Sequence, residues 1–90
     1  MHDFIVYKIY ENSTSINGER NNYNGMVAIL PNGFHLYENS GRESPAYDIG
    51  YWSIHIPSNI ILKKGDIIKV TQYCYGETTN IITLRVRGKK

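Results

Sequence analysis

Gly50-Tyr51-Trp52-Ser53-Ile54-His55-Ile56-Pro57 alternates without a break, placing Trp52, Ile54 and Ile56 on one side of an extended chain and Tyr51, Ser53 and His55 on the other. A period of two is that of a β-strand with one buried face and one wet face. Proline stops the run, since it cannot donate to a ladder, and Asp48-Ile49-Gly50 supplies the turn before it. An inward tryptophan needs cover from a second layer, so the strand implies two packed sheets or a barrel.

The same alternation continues downstream. Ile68 and Val70 mark a strand over residues 67–75, and Ile82, Leu84 and Val86 mark another over 80–87. Lys63-Lys64-Gly65-Asp66 predicts the turn that enters this hairpin, and Ile60, Ile61 and Leu62 just before it are expected to plug the end of the core. Directly paired residues share a face, so parity predicts Val70 opposite Leu84 and Ile68 opposite Val86, closed by the three-residue loop Gly76-Glu77-Thr78. That register sets Lys69 against Arg85, Thr71 against Thr83 and Tyr73 against Ile81. Like charges directly opposite are mildly unfavourable unless solvent or an anion screens them. Cys74 shares the parity of Ile68 and Val70 and reads as a small buried hydrophobe.

Upstream, a strand over 3–10 ends at the polar run Glu11-Asn12-Ser13-Thr14. A short strand over 15–18, a polar loop over 19–24 and a strand over 25–30 follow. Pro31-Asn32-Gly33 is a turn, because proline presets φ and Asn-Gly tolerates positive φ. Residues 34–37 return as a strand, and a second polar loop covers 38–48. No stretch repeats apolar residues at helical spacing. About seven short strands separated by Gly, Pro and Asn predict an all-β two-sheet sandwich, with a small SH3-like or OB-like barrel as the alternative.

Composition sets the limits. Ninety residues with 41% hydrophobic and 20% charged side chains suit one domain, expected over 1–87 with a basic tail at 88–90. Disorder is excluded by the regular Ile, Val, Tyr and Trp. No apolar run approaches the ~20 residues of a membrane span, and Met1-His2-Asp3-Phe4 does not read as a secretory signal. One cysteine closes no internal disulfide. Residues 1–62 carry three basic and six acidic side chains, whereas 63–90 carry seven basic and two acidic.

The run Asp48-Ile49-Gly50-Tyr51-Trp52-Ser53-Ile54-His55-Ile56-Pro57 resembles the strand signature of bacterial immunoglobulin-like repeats. Leu62-Lys63-Lys64-Gly65-Asp66-Ile67-Ile68-Lys69-Val70-Thr71-Gln72 is similar to the same family's Leu-x-x-Gly-Asp-x-Ile-x-Val-Thr segment. Upstream, Ser15-Ile16-Asn17-Gly18 and Gly25-Met26-Val27-Ala28-Ile29-Leu30-Pro31-Asn32-Gly33 stand where that family has an Ile-x-Gly strand and a Gly-Val-Val-Pro-Asp-Gly hairpin. The likeness covers roughly residues 14–86 and implies an immunoglobulin-like Greek-key sandwich acting as a stalk or adhesion unit of a surface or secreted protein. Tyr73-Cys74-Tyr75-Gly76 replaces the family's Ala-Gly-Asn turn, the first loop holds Arg20 and Tyr23, and the tail is basic. These departures put aromatics and cations at exposed edges.

No catalytic grouping emerges. His35, His55 and Asp48 fit no metal spacing and no nucleophile context. Asp48 and Asp66 suit turn capping better than calcium, which needs about six converging oxygens. The chain therefore reads as non-enzymatic, without cofactor or metal. The candidate binding surface is Tyr23, Tyr47, Tyr51, Lys69, Tyr73, Tyr75, Arg85 and Arg87. Eight tyrosines exceed what so small a core hides, and tyrosine contributes large contact area at little rotamer entropy. The expected partner is a protein or surface ligand, reached through loops and exposed tyrosines, without membrane insertion. A native start at Met1 would instead suit a stand-alone phage protein, a virion decoration or a small inhibitor of a host protein, in the cytoplasm or virion. A third reading is a nucleic-acid binder that stacks bases on Tyr73 and Tyr75 beside Lys69, Arg85 and Arg87.

Overall fold

The computed structural model describes residues 4–38, 49–74, 77–78 and 80–90, with the backbone alone at 74, 77 and 78. Strands β1 (Phe4–Val6), β2 (Ser15–Arg20) and β5 (Gly50–His55) form one sheet in the order β1-β2-β5. In the second sheet β4 (His35–Tyr37), β3 (Gly25–Ile29) and β6 (Ile67–Cys74) follow one another, and β7 (Glu77–Thr78) and β8 (Ile82–Arg85) share the far flank of β6. All of these strand pairs are antiparallel. The chain crosses between sheets from β2 to β3, from β4 to β5 and from β5 to β6. This is the expected all-β sandwich of two antiparallel sheets.

The alternating strand behaves as its sequence dictates. Trp52, Ile54 and Ile56 are buried, while Tyr51, Ser53 and His55 are exposed. Trp52 stands opposite Gly18 in the β2–β5 ladder, and a Cβ at Gly18 would lie 2.6 Å from the indole ring. Glycine is thus the residue that lets the large ring lie flat against its own sheet. Around it pack Phe4, Ile9, Ile16, Met26, Ile68, Val70 and Val86, all essentially buried. Ile82 and Leu84 are half-buried against this cluster. Of the expected plug, Leu62 is buried and Ile60 half-buried, whereas Ile61 points outward at 79% exposure.

The strand expected over 3–10 divides between the two sheets. β1 pairs with β2 as far as Val6. The chain then crosses to the second sheet, where Tyr10 forms a parallel bridge with Arg87. Arg87 N–H donates to the Ile9 carbonyl and Glu11 N–H donates to the Arg87 carbonyl, each at 2.8 Å. The reason lies in the spacing. Phe4 and Val6 face inward two apart, but the next apolar residue is Ile9, three further on. One unbroken strand would bury Lys8 and expose Ile9, and the crossing avoids both penalties.

The last hairpin keeps its predicted faces and loses its predicted register. Ile68 pairs with Leu84 and Val70 with Ile82, two residues away from the expected pairing. Glu77 and Thr78 are not loop but strand, paired with Cys74 and Tyr73. Between the Tyr73–Thr78 and Val70–Ile82 pairs, β6 contributes two residues and the returning chain three, which is a β-bulge. Thr71 Oγ1 donates to the Asn80 carbonyl at 3.0 Å inside it. The slip also separates Lys69 from Arg85. Lys69 faces Thr83 and Arg85 faces Ile67, so the expected like-charge pair does not form. The expected burial of Cys74 lies outside the described side chains.

The turns predicted at 31–33 and 63–66 both form. Gly33 N–H donates to the Leu30 carbonyl at 2.8 Å with Gly33 at φ 87°, the αL position that closes a three-residue hairpin loop. At the other turn Asp66 accepts from Lys63 N–H through its carboxylate at 2.9 Å, with Gly65 at φ 96°.

Candidate functional site

Strand direction gives the sandwich two unlike ends. Phe4, Arg20, Gly50, Gly25, Tyr37 and Tyr73 lie toward one, the upper end. Ser15, His55, Ile29, His35, Ile67 and Arg85 lie toward the other, the lower end.

The upper end is closed by a buried polar network. Arg20, expected in a polar loop, is the last residue of β2 and has a fully buried side chain. Its guanidinium donates from Nη1 to Glu38 Oε1 at 2.6 Å and from Nη2 to Oε2 at 2.9 Å, a fork geometry only arginine provides. Glu38 Oε1 also accepts Met26 N–H at 3.2 Å, so the pair ties the first sheet to the second. Beside it, Asn22 Nδ2 donates to Gln72 Oε1 at 3.1 Å and Gln72 Nε2 donates back to Asn22 Oδ1 at 2.7 Å. Asn22 Oδ1 accepts Asn24 N–H as well, at 3.1 Å. These bonds anchor both feet of the β2–β3 connection and leave Tyr23 at its tip, 56% exposed.

The six expected surface residues that are described are divided between the two sheets and the β2–β3 connection. Tyr51 lies on the outer face of the first sheet, where its hydroxyl donates to Asn17 Oδ1 at 2.8 Å. On that face Ile5, Glu19 and Tyr51 stand in one row across the three strands. Tyr7 donates to Glu19, which raises the Tyr7 hydroxyl pKa above its ordinary 10.0, because ionisation would cost the hydrogen bond and face a carboxylate. Lys69 and Arg85 are exposed on the second sheet, with Tyr73 half-buried further along β6. Tyr73 is six residues along β6 from Ile67, the partner of Arg85, or about 20 Å at strand rise. Tyr73 is thus set apart from Arg85, while Lys69 lies four residues from Tyr73 on the same strand. Tyr47 and Tyr75 lie outside the described residues.

Two clefts sit at the lower end. One, of about 450 Å³, lies between the β3–β4 turn and the β5–β6 connection and shows Leu30, Phe34, Ile60 and Ile61. The other, of about 770 Å³, opens beside β8 where the chain crosses between sheets. Lys8, Lys64, Arg85 and Arg87 line it, with no acidic residue among the described residues of its walls. None of the four makes an ion pair among the described residues. Arg85 and Arg87 were foreseeable from the basic last third. Lys8 was not, because only the crossing of the first strand brings it alongside; Lys64, from the same basic third, is set there by the bonds of Gly65 and Asp66 to Val86.

His35 and His55 stand on different sheets, and Asp48 lies outside the described residues. Among the described residues no three His, Cys, Asp or Glu side chains converge as a metal site, and no helix is long and apolar enough to cross a membrane. No protein-family model matches the chain, and no curated protein matches it in sequence.

Proposed function

We propose that the chain is a non-enzymatic immunoglobulin-like module, held in series in a bacterial surface or secreted protein as a stalk or adhesion unit. One observation carries this reading: the chain enters and leaves at opposite ends. Phe4 begins β1 beside Arg20 and Gly50 at the upper end, whereas Arg87 pairs beside Tyr10 and Lys90 N–H donates to Asn12 Oδ1 at the lower end. Copies joined end to end then continue one axis, each adding a body 32 Å in its longest dimension. The buried Arg20–Glu38 and Asn22–Gln72 pairs hold the upper end rigid. Tyr23 there offers an exposed aromatic on a fixed loop, the arrangement in which a scaffold presents a contact residue.

Two copies fused head to tail and measured by small-angle X-ray scattering test the proposal. A particle close to twice the 32 Å extent of one copy is expected. A pair folded back into a compact particle would remove the spacer role.

A further inference from the structure

We propose that the free edge of β8, with the cations around it, is a docking groove for an extended acidic peptide segment that adds to the second sheet as one more strand. This goes beyond the spacer role and uses a different surface.

The edge is open by backbone geometry. Val86 turns both its groups toward the β6 side, its N–H donating to the Asp66 carbonyl and its C=O accepting Gly65 N–H, each at 2.8 Å. Arg87 turns its groups the opposite way, to Ile9 and Glu11. Alternation along a strand then points the N–H and C=O of Thr83 and Arg85 the same way as those of Arg87, away from β6. Among the described residues no strand pairs with β8 on that side. Residues 9–11 cover the edge only at Arg87. Thr83 and Arg85 are exposed and line the 770 Å³ cleft.

Charge complementarity selects the occupant. Lys8, Lys64, Arg85 and Arg87 face one cleft, and none of the described residues in its walls is acidic. Arg85 and Arg87 are two residues apart, about 6.8 Å, which is the repeat of alternate side chains in an added strand. A carboxylate of a guest strand lying beside Thr83 and Arg85 would meet the Arg85 guanidinium, which binds carboxylate as a fork. Lys8, Lys64 and Arg87 stand around the end of that strand. The backbone argues for a peptide in particular. A phosphodiester chain supplies acceptors alone and leaves the Thr83 and Arg85 carbonyls unmet. A second copy pairing through its own β8 would bring four further cations into the same groove. An acidic peptide satisfies both donors and acceptors, the mode by which strands are added to sheet edges.

The test uses the whole chain and a short fluorescent peptide alternating Glu and Val. Three companions accompany it: the same peptide with Gln for Glu, a copy N-methylated on the amides of one edge, and an oligothymidylate. The Glu peptide is expected to bind and to slow hydrogen exchange at the Thr83 and Arg85 amides. Its affinity is expected to fall roughly tenfold or more in the Arg85→Glu, Arg87→Glu double variant. N-methylation of the edge facing β8 should abolish binding. Thr83→Pro should weaken binding, since it removes a donor at the open edge and no bond to β6. If that variant fails to fold, the N-methylated peptide carries the same question. Failure of the Glu peptide to bind would reduce the cations to protection of a bare edge. Equal binding of the N-methylated or Gln peptide, or tighter binding of oligothymidylate, would likewise overturn the proposal.

Discussion

Gly18 and Trp52 are direct partners across β2 and β5, and the indole rests where any side chain at 18 would stand. A Cβ there would come 2.6 Å from the ring and 2.0 Å from the Ile5 carbonyl oxygen. The second of these atoms is backbone and cannot swing aside. Gly18→Ala must therefore displace β1 or the indole, at an expected cost of about 3 kcal/mol or more. Urea unfolding followed by the fluorescence of the single tryptophan measures it. A loss below about 1 kcal/mol would contradict the packing described.

The Arg20–Glu38 pair predicts an asymmetric outcome. Glu38→Gln leaves a fully buried guanidinium without its carboxylate, at an expected cost of about 3–5 kcal/mol. Arg20→Met leaves a carboxylate that is 15% exposed and can draw on water, so the cost is expected nearer ~2 kcal/mol. The double variant should recover part of the sum. Thermal melts of the four proteins supply the cycle, and additive losses would exclude coupling between the two side chains.

Tyr7 should titrate above 10.0, its ordinary value, chiefly because its hydroxyl donates to Glu19, with desolvation and the Glu19 charge adding to the effect. The sign follows from proton linkage. A group whose pKa is raised in the folded state holds its proton longer there, so its contribution is complete below the unfolded pKa and is lost as pH rises toward the folded one. Ultraviolet difference titration of wild type against Tyr7→Phe isolates this hydroxyl. Glu19→Gln should return it toward the ordinary value, and an unchanged midpoint would show that the bond does not persist in solution.

Thr71→Val keeps the shape of the side chain and removes the hydroxyl that donates to the Asn80 carbonyl at 3.0 Å. The expected loss is about 1–2 kcal/mol, with faster amide exchange at Thr78 and little change at Ile54. Uniform acceleration at both amides would mean that the bulge is not a local support.

Faces were legible in the sequence because side-chain alternation is local. Trp52, Ile54 and Ile56, and equally Ile68, Val70 and Val86, needed no knowledge of their neighbours to be assigned inward. Register was not legible. A three-residue loop and a ladder with one extra residue in its returning strand put the same side chains on the same faces, and parity cannot separate them. The crossing of the first strand was present in the spacing of Phe4, Val6 and Ile9, yet its meaning depends on an edge supplied by Arg87, at the far end of the chain. Arg20 looked like a loop residue for a similar reason. Its burial depends on Glu38, 18 residues away. The candidate surface was a list of exposed side-chain types. Sheet assignment divides them, and the groove beside β8 depends on pairings no single segment contains.

The parallel bridge at Arg87 also governs how the module responds to force. Tension between the two chain ends pulls residues 9–11 upward and Arg87 downward along the same line. The two hydrogen bonds there are therefore loaded together in shear and do not open one after another like a zip. Mechanical resistance thus concentrates in the few residues where the first strand changes sheets, so rupture begins at that clasp and leaves the Trp52 core for later.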